Sequence, residues 1–328
     1  MSVAPRPLSK ESAENPSQTH AENDVGALYS SLDELVGWRF HVKQRRLNSP
    51  QKVMDQVNGS HQSLRKGSGM IFSEVRQYQP GDDIRHIDWR VSARTQKVHT
   101  KLFTEEHERP TVIVAEQTPA LFFGSQVRLK AAQVLNIASI LGWIALQQND
   151  QIGGLSFNQN QQAWVSPKRS KTSLLNWTQQ SLKLQRTLTQ PGSANPKLWQ
   201  SASHQLVKLI KPGSKVFLIG DMLNLDSASL NHLHSLRQHN EITAIHVFDP
   251  LEKRLPKLGW LSLTSGWLGE QLLPLNSRRS ETRKRYRENY QSRWEQTQTQ
   301  LRKLQIPLVE IATHEDPLAA LLKKQVIR

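Results

Sequence analysis

The sequence predicts an α/β protein with a doubly wound, mostly parallel sheet, preceded by an N-terminal helix and a small β-rich unit. From residue 110 onward, short apolar runs alternate with longer helical segments, an order typical of parallel strands covered by helices on both faces. The segment 111–115 is an uninterrupted apolar run, as in a strand buried on both faces. The helix predicted next, over 125–148, is apolar on nearly all sides and is therefore expected to be buried.

The remaining elements of the α/β part follow in alternation. The predicted strands are 151–157, 215–220, 242–248 and 306–312, and the predicted helices are 171–187, 197–211, 226–239, 280–304 and 317–325. Two antiparallel additions are expected as well. Residues 161–165 should turn back beside the second strand, and residues 260–264 and 268–273 should form a surface hairpin.

The part of the chain before residue 110 has a different pattern. A polar tail over 1–25 contains three prolines and no apolar run, which predicts disorder. Residues 26–109 hold an amphipathic helix over 28–40 and two strand-like runs, 70–78 and 97–103. We therefore divide the chain into this tail, the helix with its β-rich unit, and an α/β domain over 110–328 with a hairpin insertion near 258–275.

Composition limits the function classes. The 328 residues contain no cysteine, which excludes disulfides, thiol catalysis and thiolate-bound zinc. The sequence shows no apolar run long enough for a secretory signal or a membrane span, so we expect a soluble, cytoplasmic protein. The net charge of +15 predicts attraction to polyanions at low salt.

The segment 65–109 carries the most distinctive motif. It contains Gly67-Ser-Gly69, Glu74, Arg76-Gln-Tyr78-Gln-Pro80-Gly81-Asp82-Asp83-Ile84-Arg85, Ile87-Asp88-Trp89-Arg90 and Ser92-Ala93-Arg94. Later pieces of the same pattern are Asp150-Gln-Ile-Gly153, Asp249-Pro250-Leu-Glu252 and Asp316-Pro317-Leu318. Together these motifs resemble the signature of the domain of unknown function 58 family.

The resemblance implies a von Willebrand factor A-like fold and a function together with a partner protein. Members of the family are thought to act with an AAA-type ATPase of the MoxR class. The resemblance therefore favours a non-enzymatic adaptor or scaffold in protein-complex maturation or stress response, with that ATPase as partner. This chain is similar to the short members without membrane helices.

The resemblance also implies a metal-ion-dependent adhesion site at the strand ends, here in degenerate form. The corresponding residues are Glu116, Thr118 and Asp221, while Ala120 stands where a second hydroxyl is usual. The loop threonine of such a site is matched only weakly, by Thr172 or Ser170. Mg²⁺ is the cofactor considered, and no other is expected. The alternative is that Glu116 and Asp221 simply bond to backbone amides at the strand ends.

Two surfaces are predicted to bind a partner. The first is the rim of the strand ends, including Asn224 beside Glu116, Thr118 and Asp221. The second is the motif segment that carries Arg85, Asp88, Trp89, Arg90 and Arg94. No catalytic residue is predicted.

Other functions were weighed against this interpretation. Glu74, Asp82, Asp83 and Asp88 could form a two-metal hydrolase centre, but interleaved arginines favour an ion-paired network instead. The histidines of this region show no spacing typical of zinc ligands. The segment 278–303, with nine Lys and Arg against three Glu, allows a nucleic-acid or acidic partner, or simply a solvated basic face.

Overall fold

The computed structural model describes residues 29–50, 53, 71–79, 82, 87–104, 109–264 and 272–328. The polar tail, the Gly67–Gly69 loop, Asp83 and Arg85 lie outside the described residues. All statements below concern the described part of the chain.

A six-stranded sheet forms the centre of the α/β part. Its strands, in chain order, are β3 (Thr111–Glu116), β4 (Ile152–Phe157), β5 (Gln162–Lys168), β6 (Lys215–Gly220), β7 (Glu241–Phe248) and β10 (Leu308–Ala312). Their order across the sheet is β10-β7-β6-β3-β4-β5. Neighbouring strands are parallel except β5, which runs antiparallel to β4. This arrangement confirms the predicted fold class, and it places the ends of β3, β6 and β7 at one edge.

Helices cover both faces of this sheet. They are α3 (Lys130–Gln147), α4 (Lys171–Gln185), α5 (Pro196–Leu209), α6 (Ser227–Arg237), the short α7 (Pro250–Lys253), α8 (Ser280–Lys303) and α9 (Pro317–Lys323). One apolar core lies between the sheet and α3, α4 and α9. The other lies between the opposite face and α5, α6 and the C-terminal half of α8. Because α3 is central and buried almost all round, its apolar character on every side is explained.

The N-terminal helix α1 (Leu32–His41) packs on the α/β body. The Leu35 side chain is 1% exposed and joins the core of α3. The Leu35 carbonyl accepts hydrogen bonds from Ser139 Oγ at 2.6 Å and Trp143 Nε1 at 2.9 Å. The Trp38 indole donates to Asn136 Oδ1 at 2.6 Å. These contacts fix α1 against the most buried helix of the protein.

The β-rich unit consists of β1 (Ile71–Gln77) and β2 (His99–Thr104), paired antiparallel, with α2 (Trp89–Thr95) between them. Helix α2 was not predicted, because the motif residues show no apolar period. The surface hairpin consists of β8 (Trp260–Thr264) and β9 (Leu272–Asn276). Its second strand lies closer to the C-terminus than the predicted 268–273.

The edge strand β5 is irregular. Its pairing with β4 shifts register between Ile152 and Gly154, which marks a bulge. Pro167 and Lys168 lie in the bulged part of the strand. A Cβ atom at Gly153 would overlap the backbone of β5 there, so a glycine is needed to bring the two strands this close.

Candidate functional site

The loops that follow β3, β6 and β7 meet at the carboxyl edge of the sheet and bring several ionisable side chains together. These side chains belong to Glu116, Lys130, Asp221, His246, Asp249 and Glu252. Carboxyl ends of parallel strands are the usual position for binding sites in doubly wound folds. We call this group the strand-end cluster.

Glu116 is the last residue of β3, and its side chain is 2% exposed. Its Oε1 accepts a hydrogen bond from Thr118 Oγ1 at 2.7 Å. Its Oε2 accepts from Trp199 Nε1 at 2.9 Å and from the Asp221 backbone N–H at 2.8 Å. Space for this long side chain exists because its neighbour on β6 is Gly220, where a Cβ atom would overlap the Glu116 carboxylate. Three donors therefore hold the carboxylate in one position.

Lys130 is the first residue of α3, and its ammonium group is fully buried. The Nζ atom lies 3.0 Å from Asp221 Oδ2 and 2.9 Å from Glu252 Oε1. Asp221 follows β6 and Glu252 lies in α7, so one ammonium group joins two loops of the strand-end edge. A buried charge is stabilised only when it is paired in this way.

The Asp249-Pro250-Leu-Glu252 motif builds the third loop of the cluster. Asp249 and Glu252 form a capping box at the start of α7, in which Glu252 Oε2 accepts from the Asp249 backbone N–H at 2.8 Å. The Asp249 carboxylate also accepts from Ser125 Oγ at 2.6 Å and Thr313 Oγ1 at 2.7 Å. The motif thereby ties the loops after β3, β7 and β10 to each other and leaves Glu252 Oε1 for Lys130.

His246 supplies a neutral, buried ring to the cluster. Its Nδ1 accepts from the Met222 backbone N–H at 3.2 Å, so the ring proton belongs on Nε2, which lies 3.3 Å from the Tyr290 hydroxyl. Burial lowers the pKa of His246 to about 4. Burial also raises the pKa of Tyr290. Both groups are therefore uncharged near neutral pH.

The acidic and basic groups of the cluster are strongly affected by burial and by each other. Burial of Glu116, together with the charge of Asp221, raises its pKa to about 7. Burial alone would raise the pKa of Asp221, but the Lys130 charge brings it down to about 2. Burial would lower the pKa of Lys130, yet Asp221 and Glu252 hold that pKa above its ordinary value. Lys130 and Asp221 are thus a charged pair at any physiological pH.

The structure places Glu116, Thr118 and Asp221 side by side, while the metal-binding role assigned to them stays a prediction. The prediction that Thr172 or Ser170 lies at the strand-end edge is wrong. Because β5 runs antiparallel, Lys168 pairs with Ile152 at the start of β4, so the residues after β5 lie at the opposite edge of the sheet. Ser170 caps α4 there, accepting from the Thr172 backbone N–H at 3.1 Å.

The predicted rim residues are buried rather than displayed. Glu116, Thr118, Asp221 and Asn224 are 2%, 3%, 8% and 4% exposed. In this conformation their side chains offer little surface to a protein partner. The rim prediction therefore disagrees with the burial of these four residues. Of the four, Glu116 and Asp221 join the ends of β3 and β6 through the Asp221 backbone N–H.

The second predicted surface is exposed. Asp88 caps α2 by accepting from the backbone N–H groups of Arg90 and Val91. The Trp89 side chain is 69% exposed, and Arg90 and Arg94 are exposed on the same short helix. We call Trp89, Arg90 and Arg94 the α2 surface.

The structure describes the side chains of two of the four carboxylates that the hydrolase alternative would need. Asp82 forms an ion pair with Arg76 at 2.7 Å, and Asp88 is occupied as a helix cap. Among the described residues, no group of three or more His, Cys, Asp or Glu side chains is placed to hold a metal ion. The arginine-paired interpretation agrees with the Arg76–Asp82 contact.

Sequence reasoning missed Lys130, His246, Asp249 and Glu252 as members of the cluster, and Trp199 as a donor to it. Glu252 was within the recognised motif, but the motif gave no partner for it. Lys130 carried a usable signal, because a lysine at the start of a helix with apolar residues on every side faces both burial and an unfavourable helix dipole. Trp199 gave no signal, since an aromatic residue on an amphipathic helix is ordinary core.

The chain is similar in sequence to uncharacterised proteins and matches two solved structures at low similarity. Two uncharacterised mycobacterial proteins, Mb1516 of Mycobacterium bovis and Rv1480 of Mycobacterium tuberculosis, are 26% identical over 224 residues, covering 66% of this chain and 67% of each relative. The crystal structure of the conserved hypothetical protein BatB from Bacteroides thetaiotaomicron is similar with a TM-score of 0.37 and 12% identity, over 66% of this chain and 96% of that one. An aerotolerance-related membrane protein from Bacteroides fragilis has a TM-score of 0.34 and 10% identity, over 60% and 99% of the two chains. In the described ranges of this chain, every helix is too short or too polar to cross a bilayer.

The family comparison covers most of the chain. The family described as "Protein of unknown function DUF58" matches residues 74–296, which include the second half of β1, the α2 surface and all of the strand-end cluster. The sheet order and its antiparallel edge strand fit the von Willebrand factor A-like fold that the sequence motifs imply. The chain belongs to the DUF58 family.

Proposed function

We propose that this protein is a non-enzymatic adaptor that binds an AAA-type ATPase of the MoxR class through the α2 surface. The observation that carries the proposal is the exposure of Trp89 beside Arg90 and Arg94 on one short helix. A large aromatic side chain gains little from facing water, whereas Trp and Arg are the residues most enriched among those that dominate binding energy at protein interfaces. The choice of ATPase rests on the family resemblance, and a cytoplasmic location is part of the same proposal.

The chemistry of the α2 surface favours an acidic partner. Two exposed guanidinium groups lie on the same short helix as the indole, and each can form paired hydrogen bonds with a carboxylate. Asp88 caps the start of this helix by accepting from its backbone N–H groups. The strand-end cluster is buried, and it supports an adaptor only indirectly, through the ion pairs that join the strand-end loops.

The test compares two exposed tryptophans. Tagged wild-type protein, Trp89→Ala, Arg90→Glu/Arg94→Glu and Trp260→Ala are expressed in the native host, and bound proteins are identified by mass spectrometry after nuclease treatment. Trp260 is 73% exposed on the β8–β9 hairpin and is therefore the matched control. The proposal expects a MoxR-type ATPase with wild type and with Trp260→Ala, and a loss of about tenfold or more with the α2 variants. Equal recovery of the ATPase with all four proteins would contradict the α2 surface, and its absence from all four would contradict the partner.

A second candidate function is polyanion binding by α8. Arg278, Arg279, Lys284, Arg285 and Arg287 are exposed at the N-terminal end of this helix. Positive charge is unfavourable at the N-terminal end of a helix, so these basic residues call for a functional explanation. Binding to nucleic acid would weaken steeply with salt, with a log–log slope near about −0.9 per phosphate contacted. Fluorescence anisotropy with labelled duplex DNA over a salt series separates the two functions, because Arg285→Glu/Arg287→Glu should abolish this binding and leave ATPase capture unchanged.

A further inference from the structure

The strand-end cluster has a buried cation supplied by the chain itself. The Lys130 ammonium group lies within hydrogen-bond distance of Asp221 and Glu252, at the edge where the family resemblance implies a metal ion. Its position at the start of α3 is unfavourable for a positive charge. Its complete burial is unfavourable as well, unless carboxylates compensate for both effects.

The residues around the cluster do not fit a divalent cation. Mg²⁺ requires about six oxygen ligands in near-octahedral geometry. Both oxygens of Glu116 are already engaged by three protein donors. Asp221 Oδ1 accepts from the Leu223 backbone N–H at 3.1 Å, and its Oδ2 faces Lys130. Ala120 has no oxygen in its side chain, so the oxygen ligands that a metal would need are used or missing.

We propose that the Lys130 ammonium group is the resident counter-ion of the strand-end cluster and takes the place of a divalent metal. In this arrangement one side chain compensates the charge of Asp221 and Glu252 and holds the loops after β6 and β7 together. The loop after β3 is joined through Glu116, which accepts from the Asp221 backbone N–H. The inference is independent of the adaptor function, since it concerns only what holds the strand-end loops.

The first test is direct metal binding by the wild-type protein. Chelator-treated protein is titrated with Mn²⁺, and free Mn²⁺ is followed by electron paramagnetic resonance. The proposal expects no binding tighter than about 1 mM that depends on Asp221. One bound Mn²⁺ per chain, lost in Asp221→Asn, would overturn it.

The second test removes the ammonium group. Lys130→Met introduces an uncharged, unbranched side chain of similar length and leaves Asp221 and Glu252 without their cation. Lys215→Met is the matched control, because Lys215 pairs with Asp150 at 3.1 Å near the opposite edge of the sheet and is partly exposed. The melting temperature should fall by about 10 °C in Lys130→Met and by much less in Lys215→Met. Equal, small decreases in the two variants would overturn the proposal.

A double variant distinguishes charge compensation from simple filling of space. If Lys130 acts as the counter-ion, Lys130→Met/Asp221→Asn should melt at a higher temperature than Lys130→Met, because the unpaired carboxylate is gone. If the side chain only fills volume, the second substitution should lower the melting temperature further, and the proposal is wrong. The comparison uses no partner and no enzymatic activity, so its failure is distinct from failure of the adaptor function.

Discussion

The indole N–H of Trp199 donates a hydrogen bond to Glu116 Oε2 across 2.9 Å, which joins helix α5 to the end of the central strand β3. The same ring packs edge-on against Phe157, with 4.9 Å between ring centroids. Helix α5 thus contacts a carboxyl group whose pKa is raised by burial.

Glu116 should make stability depend on pH near neutrality. Its pKa is 4.5 in an unfolded chain and about 7 in the folded protein, with the charges of Asp221 and Lys130 facing it. Between these values the folded protein retains a proton that the unfolded chain has lost, so the free energy of unfolding decreases as pH rises through this window. From about pH 6 to about pH 8 the decrease should be about 1 kcal/mol. Denaturant unfolding of wild type and Glu116→Gln measures it, and the variant should lack the decrease.

His246 contributes with the opposite sign at lower pH. Its pKa falls from 6.5 to about 4 on folding, so its contribution to stability is complete above pH 6.5 and is lost as pH falls toward 4. Because His246 is present in both proteins, the difference between wild type and Glu116→Gln at each pH isolates the contribution of Glu116. A decrease of equal size in wild type and Glu116→Gln would show that another group is responsible.

Gly220→Ala should destabilise the protein. The added Cβ atom would overlap the Glu116 carboxylate, which is held by three donors and has no other place to go. Overpacking of this kind costs about 1–3 kcal/mol. Gly37→Ala is the control, because Gly37 lies within α1 with no atom near the position of a new Cβ. Chemical denaturation should show a loss for Gly220→Ala and no loss for Gly37→Ala.

Leu35→Ala should loosen the N-terminal helix. Leu35 is the residue of α1 that is buried against α3, and removal of a buried leucine side chain typically costs about 2–5 kcal/mol. Phe40→Ala on the same helix should have little effect, since Phe40 is 59% exposed. Hydrogen exchange read out by mass spectrometry should show faster exchange over 32–41 in Leu35→Ala alone. Unchanged exchange would mean that the backbone bonds to Ser139 and Trp143 suffice to hold the helix.

Thr313→Val tests the junction at Asp249. The Thr313 hydroxyl donates to the buried Asp249 carboxylate, and the variant removes this donor with almost no change of shape. The loss should be about 1–3 kcal/mol, because a buried acceptor is left with one donor fewer. Thr95→Val is the control, since the Thr95 hydroxyl is exposed and bonds only to residues within four positions of it, Val91, Lys97 and His99. Equal melting temperatures of the two variants would contradict the role of this junction.

The sequence predicted the order of the elements well because apolar periodicity is a local property. On α8, for example, Tyr286, Tyr290 and Trp294 recur at every fourth position, and in the structure Trp294 packs on the core while the Tyr290 hydroxyl lies 3.3 Å from His246 Nε2. The strand-end cluster was harder to predict. The sequence pattern could place the ends of β3 and β6 at one edge of the sheet. It could not identify the partner of Asp221, Lys130, as the first residue of α3, because the predicted helix began five residues earlier, at 125.

The misplaced loop residues show a different limit. Residues 161–165 were correctly expected to run antiparallel, yet Thr172 and Ser170 were still assigned to the strand-end edge. An antiparallel strand reverses the edge at which the following helix begins, so the direction of β5 already excluded both residues. Side-chain burial was also beyond reach. Asn224 is a polar residue in the segment between β6 and α6, and only the packing of that segment hides its side chain.

The irregular end of β5 has a consequence for self-association. An exposed strand at the side of a sheet invites strands from other molecules, and proteins resist this with bulges, prolines and lysines. All three occur together in β5, at the register shift beside Gly153, at Pro167 and at Lys168. Pro167 has no N–H to donate, and the bulge turns the adjacent groups out of line for an incoming ladder. This flank of the sheet is therefore built against edge-to-edge aggregation, and any oligomer of the protein should use another surface.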